Sequence, residues 1–568
     1  MKLSTLSDFF DDALISEYTP EMVESLLSQF KEYGFSRMYL YYYGVAGKDN
    51  YLHTDRTDEP YSNWHKTAKN MPNSSKVFAD AAKKVGIESV IAIKTNEQGL
   101  WLVYSPYYTK NIEGGVPHLG GKILEYTKFL AEHPELRIKR RSYDIDPDAV
   151  NKVICSIKLY KQNDAPTRIK KEHISIYTSP DNSYYKPYAG DFTVTESIEP
   201  AREDIIISGH SVDYKDTFEL VKKGDPIRVL TLSGLSITDR FAAVRVQCGG
   251  ECDKFVRFTT TPYHGITCHD ENGNEICSSR GGSIRPTVNN VPYLDAGFGF
   301  DDGFGNFRQL DLDGDSGDSY IAVAKGKNEY THTTLCECEP EVREYWLSIL
   351  EQTLDDDHDY YTHRVENHGI HVDEPFAYGY NDCIKEEYFR RYGECSEQEM
   401  DTRKIAKIRG DAYTELFIEA AKRIRARGKK VILPLNVEML RDPIPVARRI
   451  AYPMNVEWQW ERWLEEIRPD EINIRTYFTS PQFLMTDPQC KKFIETAKKY
   501  NVPLTLERYA DHDFLADYDY VKSTGIFDYM TLYETGDVLA GDNNGNVVVT
   551  EQGKVQLVGL KMKRDAEK

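Results

Sequence analysis

From Glu339 onward the chain repeats one unit, an amphipathic helix followed by a short run of β-forming residues. Segment 339–355 precedes Gly369-Ile370-His371-Val372-Asp373-Glu374-Pro375. Segment 402–427 precedes Lys430–Glu438, 455–467 precedes Glu471–Phe478, 487–500 precedes Val502–Arg508, and 513–523 precedes Asp528–Glu534. Apolar spacing that switches between the helical and the strand period predicts alternating helices and strands. Strands joined through helices run parallel, because the chain must cross back before pairing again. The chain opens with the same alternation. Met22, Val23, Leu26, Leu27 and Phe30 mark a helix over 20–33, followed by a strand at Ser36–Tyr43. A helix over 75–85 precedes Glu88–Thr95, and one over 121–132 precedes Leu136–Lys139. Three strands and then five make eight, the number that closes a parallel sheet into a (β/α)8 TIM barrel.

The alternation is interrupted from about 146 to 338. Helical periodicity fades and short β-rich runs take over: Val153–Tyr160, His173–Tyr177, Asp204–Ser208, Pro226–Leu232, Ala242–Cys248, Lys254–Thr260 and Tyr320–Ala324. Asn272-Gly273 between Cys268 and Cys277 reads as a hairpin turn. The expected organisation is a barrel first part at 1–145 with strands one to three and an inserted all-β sandwich at 146–338. The second barrel part follows at 339–568 with strands four to eight. The chain should end in a short hairpin made of Val547–Thr550 and Val555–Leu560. Inserted after strand three, the β-domain emerges on the face where barrels carry their active sites.

The net charge of −20 argues against nucleic acid or an anionic membrane as partner. No run of apolar residues is long enough to span a bilayer. Met1–Asp8 lacks the apolar core of a signal peptide. The ten cysteines are scattered through a long chain, unlike a disulfide scaffold. These features together predict a cytoplasmic enzyme with reduced thiols.

In a parallel barrel, catalytic groups come from the C-terminal ends of strands, where the loops build the pocket. By the count above, Glu374 ends strand four and Glu507 ends strand seven. In strand seven Leu504 and Leu506 should face the helices, leaving Thr505 and Glu507 for the barrel axis. In strand four the same alternation sends His371 and Asp373 inward. The order and position of Glu374 and Glu507 resemble the clan-A TIM-barrel glycoside hydrolases, whose two glutamates end those two strands. The resemblance covers the barrel halves. It implies that Glu374 is the general acid/base and Glu507 the nucleophile of a retaining mechanism. Asp373 stands where that clan has asparagine, which makes Asp373 a rival for one catalytic role. Lys94 ends strand two, where the clan often has arginine. Tyr477 ends strand six, where the clan often has a tyrosine bonded to the nucleophile. Glycoside cleavage needs one carboxyl to protonate the leaving group and another to attack or stabilise the anomeric carbon. The two are roughly 5–5.5 Å apart for retention and roughly 6.5–9.5 Å for inversion.

Further strand-end candidates for holding substrate are Tyr43, Asn436, Glu438, Arg475 and Glu534. The chain has 39 Tyr and 6 Trp, and Trp101 lies in an aromatic-rich loop. Aromatic faces suit the apolar faces of pyranose rings, so the expected partner is a carbohydrate. The inserted domain is expected to act as a lid, a subsite wall or a homo-oligomer surface. Two other functions fit the same barrel. One is a metal-dependent sugar isomerase or aldolase using His371, Asp373 or Glu374, and Glu438 as ligands. The other is a non-catalytic carbohydrate-binding protein. Asp311–Asp318 has the alternate acids of a calcium loop but lacks glycine at position six and glutamate at position twelve. Cys336 and Cys338 are not part of paired CxxC knuckles. No metal or cofactor is therefore expected.

Overall fold

The computed structural model describes the chain outside residues 10–11, 14–15, 44–50, 54–61, 97–98, 102–122, 162, 181–185, 203–204, 209–216, 248–262, 281–309, 312–317, 328, 366–375, 441–454, 477–478, 511–513, 543 and 567–568. Eight parallel strands close into a barrel: β1 Lys2–Ser7, β2 Phe35–Tyr43, β3 Glu88–Lys94, β4 Tyr360–Arg364, β5 Lys430–Asn436, β6 Glu471–Arg475, β7 Leu504–Tyr509 and β8 Tyr529–Tyr533. Closure is made by β1 against β8, with Leu3 opposite Met530 and Leu6 opposite Tyr533.

The barrel of eight is as expected, but three assignments within it change. The first strand is Lys2–Ser7, so Tyr43 ends the second strand and Lys94 the third. Lys-Leu-Ser-Thr-Leu-Ser carries little apolar signal because part of its pairing is polar. Ser4 Oγ meets Thr531 Oγ1 at 2.6 Å in the interior. The segment at 136–139 is not a barrel strand; Arg137–Lys139 pairs antiparallel with Tyr330–Leu335. The fourth strand is Tyr360–Arg364. His371, Asp373 and Glu374 follow it in sequence and lie outside the described residues. The extra first strand and the lost third one cancel, so Glu507 remains on strand seven.

Two further expectations are corrected. Ile123–Thr127, expected in a helix, is a strand, and only Lys128–Glu132 is helical. The terminal hairpin is formed by Leu539–Gly541 and Val547–Val549, while Glu551–Asp565 is a helix capped by Thr550, which accepts from Gly553 N. Gly553 is tolerated in that first turn because the Val538 carbonyl lies where a Cβ would be.

The helices wrap the barrel with their apolar faces inward. Pro20–Glu32 is typical. Thr19 caps it, proline occupies its first turn, and Met22, Val23, Leu26, Leu27 and Phe30 are buried. Toward the N-terminal ends of the strands a polar layer crosses the barrel interior. Arg37 pairs with Glu471 at 2.7 Å and with Glu88 at 2.9 Å. Thr505 donates to Glu471 at 2.6 Å and Tyr39 at 3.1 Å. The Arg37 guanidinium lies 3.9 Å from the Tyr529 ring centre and 4.3 Å from that of Tyr360. Satisfied on every side, this layer is a structural plug.

Between β3 and β4 the chain forms two five-stranded antiparallel sheets. Ile157, Leu159 and Leu232 from one, and Ile176, Val244 and Val323 from the other, belong to a single apolar cluster. The Asn272-Gly273 turn joins Tyr263–His269 to Glu275–Arg280, with Cys268 opposite Cys277. Gly273 has φ 80°, the left-handed geometry that favours glycine. Lys254–Thr260 and most of Asp311–Asp318 lie outside the described residues.

Candidate active site

Side chains along a strand alternate between faces, so the residue two beyond each member of the polar plug points into the next layer up. Thr505 gives way to Glu507, and Glu471 is succeeded by Asn473 and then Arg475. On β2, Arg37 and Tyr39 are followed by Tyr41. The upper layer stands at the C-terminal ends of the strands.

Its centre is Glu507. Arg364 Nη2 donates to Glu507 Oε1 at 2.6 Å and Nη1 to Oε2 at 3.1 Å, a bidentate clamp between buried groups. Arg475 approaches the same carboxylate, with Nε 3.6 Å from Oε1, and its Nη2 donates to the Tyr509 hydroxyl at 2.5 Å. Both Glu507 oxygens therefore accept from cations, the arrangement of a nucleophile or a charge stabiliser. Arg364 lies at the end of β4 and Glu507 on β7, three strands apart around the barrel.

A second ion pair sits at the same end. Lys94 Nζ lies 2.9 Å from Asp8, both buried. The Tyr41 ring is shared between the two pairs, 4.4 Å from Lys94 Nζ and 5.4 Å from Arg364 Cζ. Burial raises the Tyr41 phenol above its ordinary value, outweighing the neighbouring cations. Tyr533 stacks edge-on against Tyr509 at 4.3 Å and faces Tyr41 at 5.7 Å. Asp12 is buried and accepts from Thr535 at 3.2 Å and Ser7 at 3.5 Å. Its carboxyl is raised well above the usual range by burial and by the charge of Asp8. Gly536 packs directly on it, leaving no space for a Cβ.

Of the residues singled out from sequence, Glu507, Arg475 and Lys94 share this layer. Asn436 is buried at the end of β5, beside Arg475 in the sheet. Glu534 follows β8 with φ 68° and is partly exposed. Glu374, Asp373, His371 and Tyr477 lie outside the described residues, as do the side chains of Tyr43, Trp101 and Glu438. The sequence reading overlooked Arg364, Asp8, Asp12, Tyr509 and Tyr533. Asp8 and Arg364 were legible only once β1 and β4 were placed. Tyr509 was within reach, since it continues the inward alternation of Thr505 and Glu507. At the opposite end, a shallow cleft lined by Lys2, Ser36, Glu88, Asp359 and Tyr529 gathers none of these groups.

No family model matches this sequence, and no curated protein matches it either. Among solved structures, the β-amylase catalytic domain of Paenibacillus polymyxa aligns over 100% of this chain and 98% of its own, with 8% identity and a TM-score of 0.36. A D-psicose 3-epimerase from Clostridium cellulolyticum H10, solved with D-tagatose, aligns over 41% of this chain and 74% of its own (14% identity, TM-score 0.22). A GH18 chitinase from Pseudoalteromonas aurantia aligns over 51% and 91% (8% identity, TM-score 0.21). At this level of likeness the functional reading rests on the geometry of the site itself. Among the described residues no helix is long and apolar enough to cross a membrane.

Proposed function

We propose that this protein is a glycoside hydrolase acting on a small or oligomeric glycan through two carboxylates, with retention. The observation that carries the reading is Glu507, a buried carboxylate at the C-terminal end of β7, held by Arg364 and Arg475 among Tyr41, Tyr509 and Tyr533. In this reading Glu507 attacks the anomeric carbon, and the bond to the leaving oxygen breaks as Glu374 or Asp373 protonates it. Water, deprotonated by that same acid, then attacks the anomeric carbon and releases Glu507. The arginines fix the carboxylate's orientation, so little reorganisation is needed during attack. The tyrosines supply apolar faces and hydroxyl edges for a pyranose ring. Asn436 and Lys94 would hold substrate hydroxyls. The two antiparallel sheets between β3 and β4 would form an inserted domain, about 146–338, that walls one side of the cleft. A cytoplasmic location belongs to the same proposal.

The test is a panel of aryl glycosides assayed with the wild type and with Glu507→Ala. Loss of turnover in the variant, and its rescue by azide to give a glycosyl azide of inverted configuration, would support Glu507 as nucleophile. Full turnover by Glu507→Ala would overturn the assignment.

A further inference from the structure

Away from the barrel mouth, Cys336, Glu339 and Cys383 converge, with one donor atom of each within 4.8 Å of the others. Cys338, two residues beyond Cys336, stands outside this three-donor group. All three thiols are unbridged. The segments that present them are fixed in place. Cys336 ends a strand extension whose N–H donates to the Leu136 carbonyl at 2.8 Å. Glu339 is the N-cap residue of helix Pro340–Leu354. Cys383 stands in the first turn of helix Asp382–Tyr392. Asn381, just before it, accepts from Lys139 N and donates to the Arg137 carbonyl, each at 2.8 Å. Around the thiols lies a small apolar cluster that includes Ile138, Ala377, Tyr378 and Ile384.

A carboxylate set against two thiols at the edge of an apolar nest is a poor packing solution and a good donor set. Thiolates with one carboxylate suit a borderline-soft divalent ion. Bonds of about 2.3 Å to sulfur place tetrahedral donors roughly 3.8 Å apart, within the observed envelope. We propose that Cys336, Cys383 and Glu339 form a structural zinc site, with Cys338, two residues on from Cys336, as the nearest thiol able to turn in as fourth ligand. Binding releases the thiol protons to solvent, and with Cys338 turned in as fourth ligand it leaves no position open for catalysis. Between Cys336 and Cys338, Glu337 is held in a buried ion pair with Arg409, which fixes this turn. The ion fastens the turn at 336–339 to the helix that follows residues 366–375. The inference is independent of the proposed hydrolase activity.

The test is metal analysis of the full chain purified under reducing conditions with zinc present. The expected content is on the order of one zinc per chain, with thiols that react fully only after chelation. Cys336→Ser and Cys383→Ser should lose the zinc, and Cys155→Ser, in the antiparallel sheets, should keep it. Glu339→Gln is the milder variant and should weaken zinc affinity by roughly tenfold or more, even if a cysteine variant fails to fold. Three results would each overturn the proposal. They are a zinc-free chain after incubation with excess zinc, stoichiometric zinc in both cysteine variants, and a Cys336–Cys383 disulfide in the reduced preparation.

Discussion

The Arg364–Glu507 clamp can be tested by a double-mutant cycle with Glu507→Gln, Arg364→Met and the pair combined. Both groups are buried, and removing one partner of a buried ion pair typically costs about 3–5 kcal/mol because the other charge is stranded. The geometry predicts that the two single variants differ. Glu507→Gln takes the carboxylate charge from two guanidiniums, Arg364 at 2.6 Å and Arg475 at 3.6 Å. Arg364→Met leaves Glu507 with Arg475 still beside it. Glu507→Gln should therefore sit near the upper end of that range and Arg364→Met near the lower. The double variant takes this carboxylate from Arg475 alone, so it should cost less than the sum of the singles by about 2 kcal/mol or more. Urea unfolding with a common m-value reads these differences. Additivity of the two singles within about 0.5 kcal/mol would refute the clamp. If Arg364→Met proved costlier than Glu507→Gln, the role given to Arg475 would be refuted.

Asp12 is raised by burial and by Asp8, so its stabilising effect is full below the ordinary aspartate value of 3.8 and is lost as pH rises toward its folded value. Stability of Asp12→Asn relative to wild type should therefore grow with pH above 3.8, by up to about 1.4 kcal/mol per pH unit; a pH-independent difference in urea midpoint would refute this. His363 is lowered by burial to about 4, and His358 to about 3, so each favours folding above about 6.5 and loses that contribution as pH falls. For His363 the loss between 6.5 and 4 is about 3 kcal/mol, and His363→Gln should flatten the acid limb of the stability–pH curve. In the lower layer, Glu471→Gln should destabilise by about 3 kcal/mol, since Arg37 then keeps only the partly exposed Glu88 as its carboxylate partner, while kcat per folded molecule changes far less than in Glu507→Gln. An equal loss of kcat in the two variants would erase the distinction between plug and site.

The sequence by itself determined the barrel. Alternating periods report which face of each segment is buried, and that is a local property; it also placed Glu507 inward at the end of a late strand. The pairing of first strand with last is not local. Lys2–Ser7 reads as a polar terminus because its partner, Thr531, satisfies Ser4 across the closure. Arg364 carries no strand-end signal until Tyr360–Arg364 is seen between β3 and β5, and only then does it become the partner of Glu507. The same holds for Cys383, which no spacing rule connects to Cys336 and Glu339. Ion pairs and donor sets form between side chains that the closed sheet brings within a few ångströms, and sequence separation says little about that distance. Tertiary structure therefore decided what surrounds Glu507: two arginines and three tyrosines drawn from five of the eight strands.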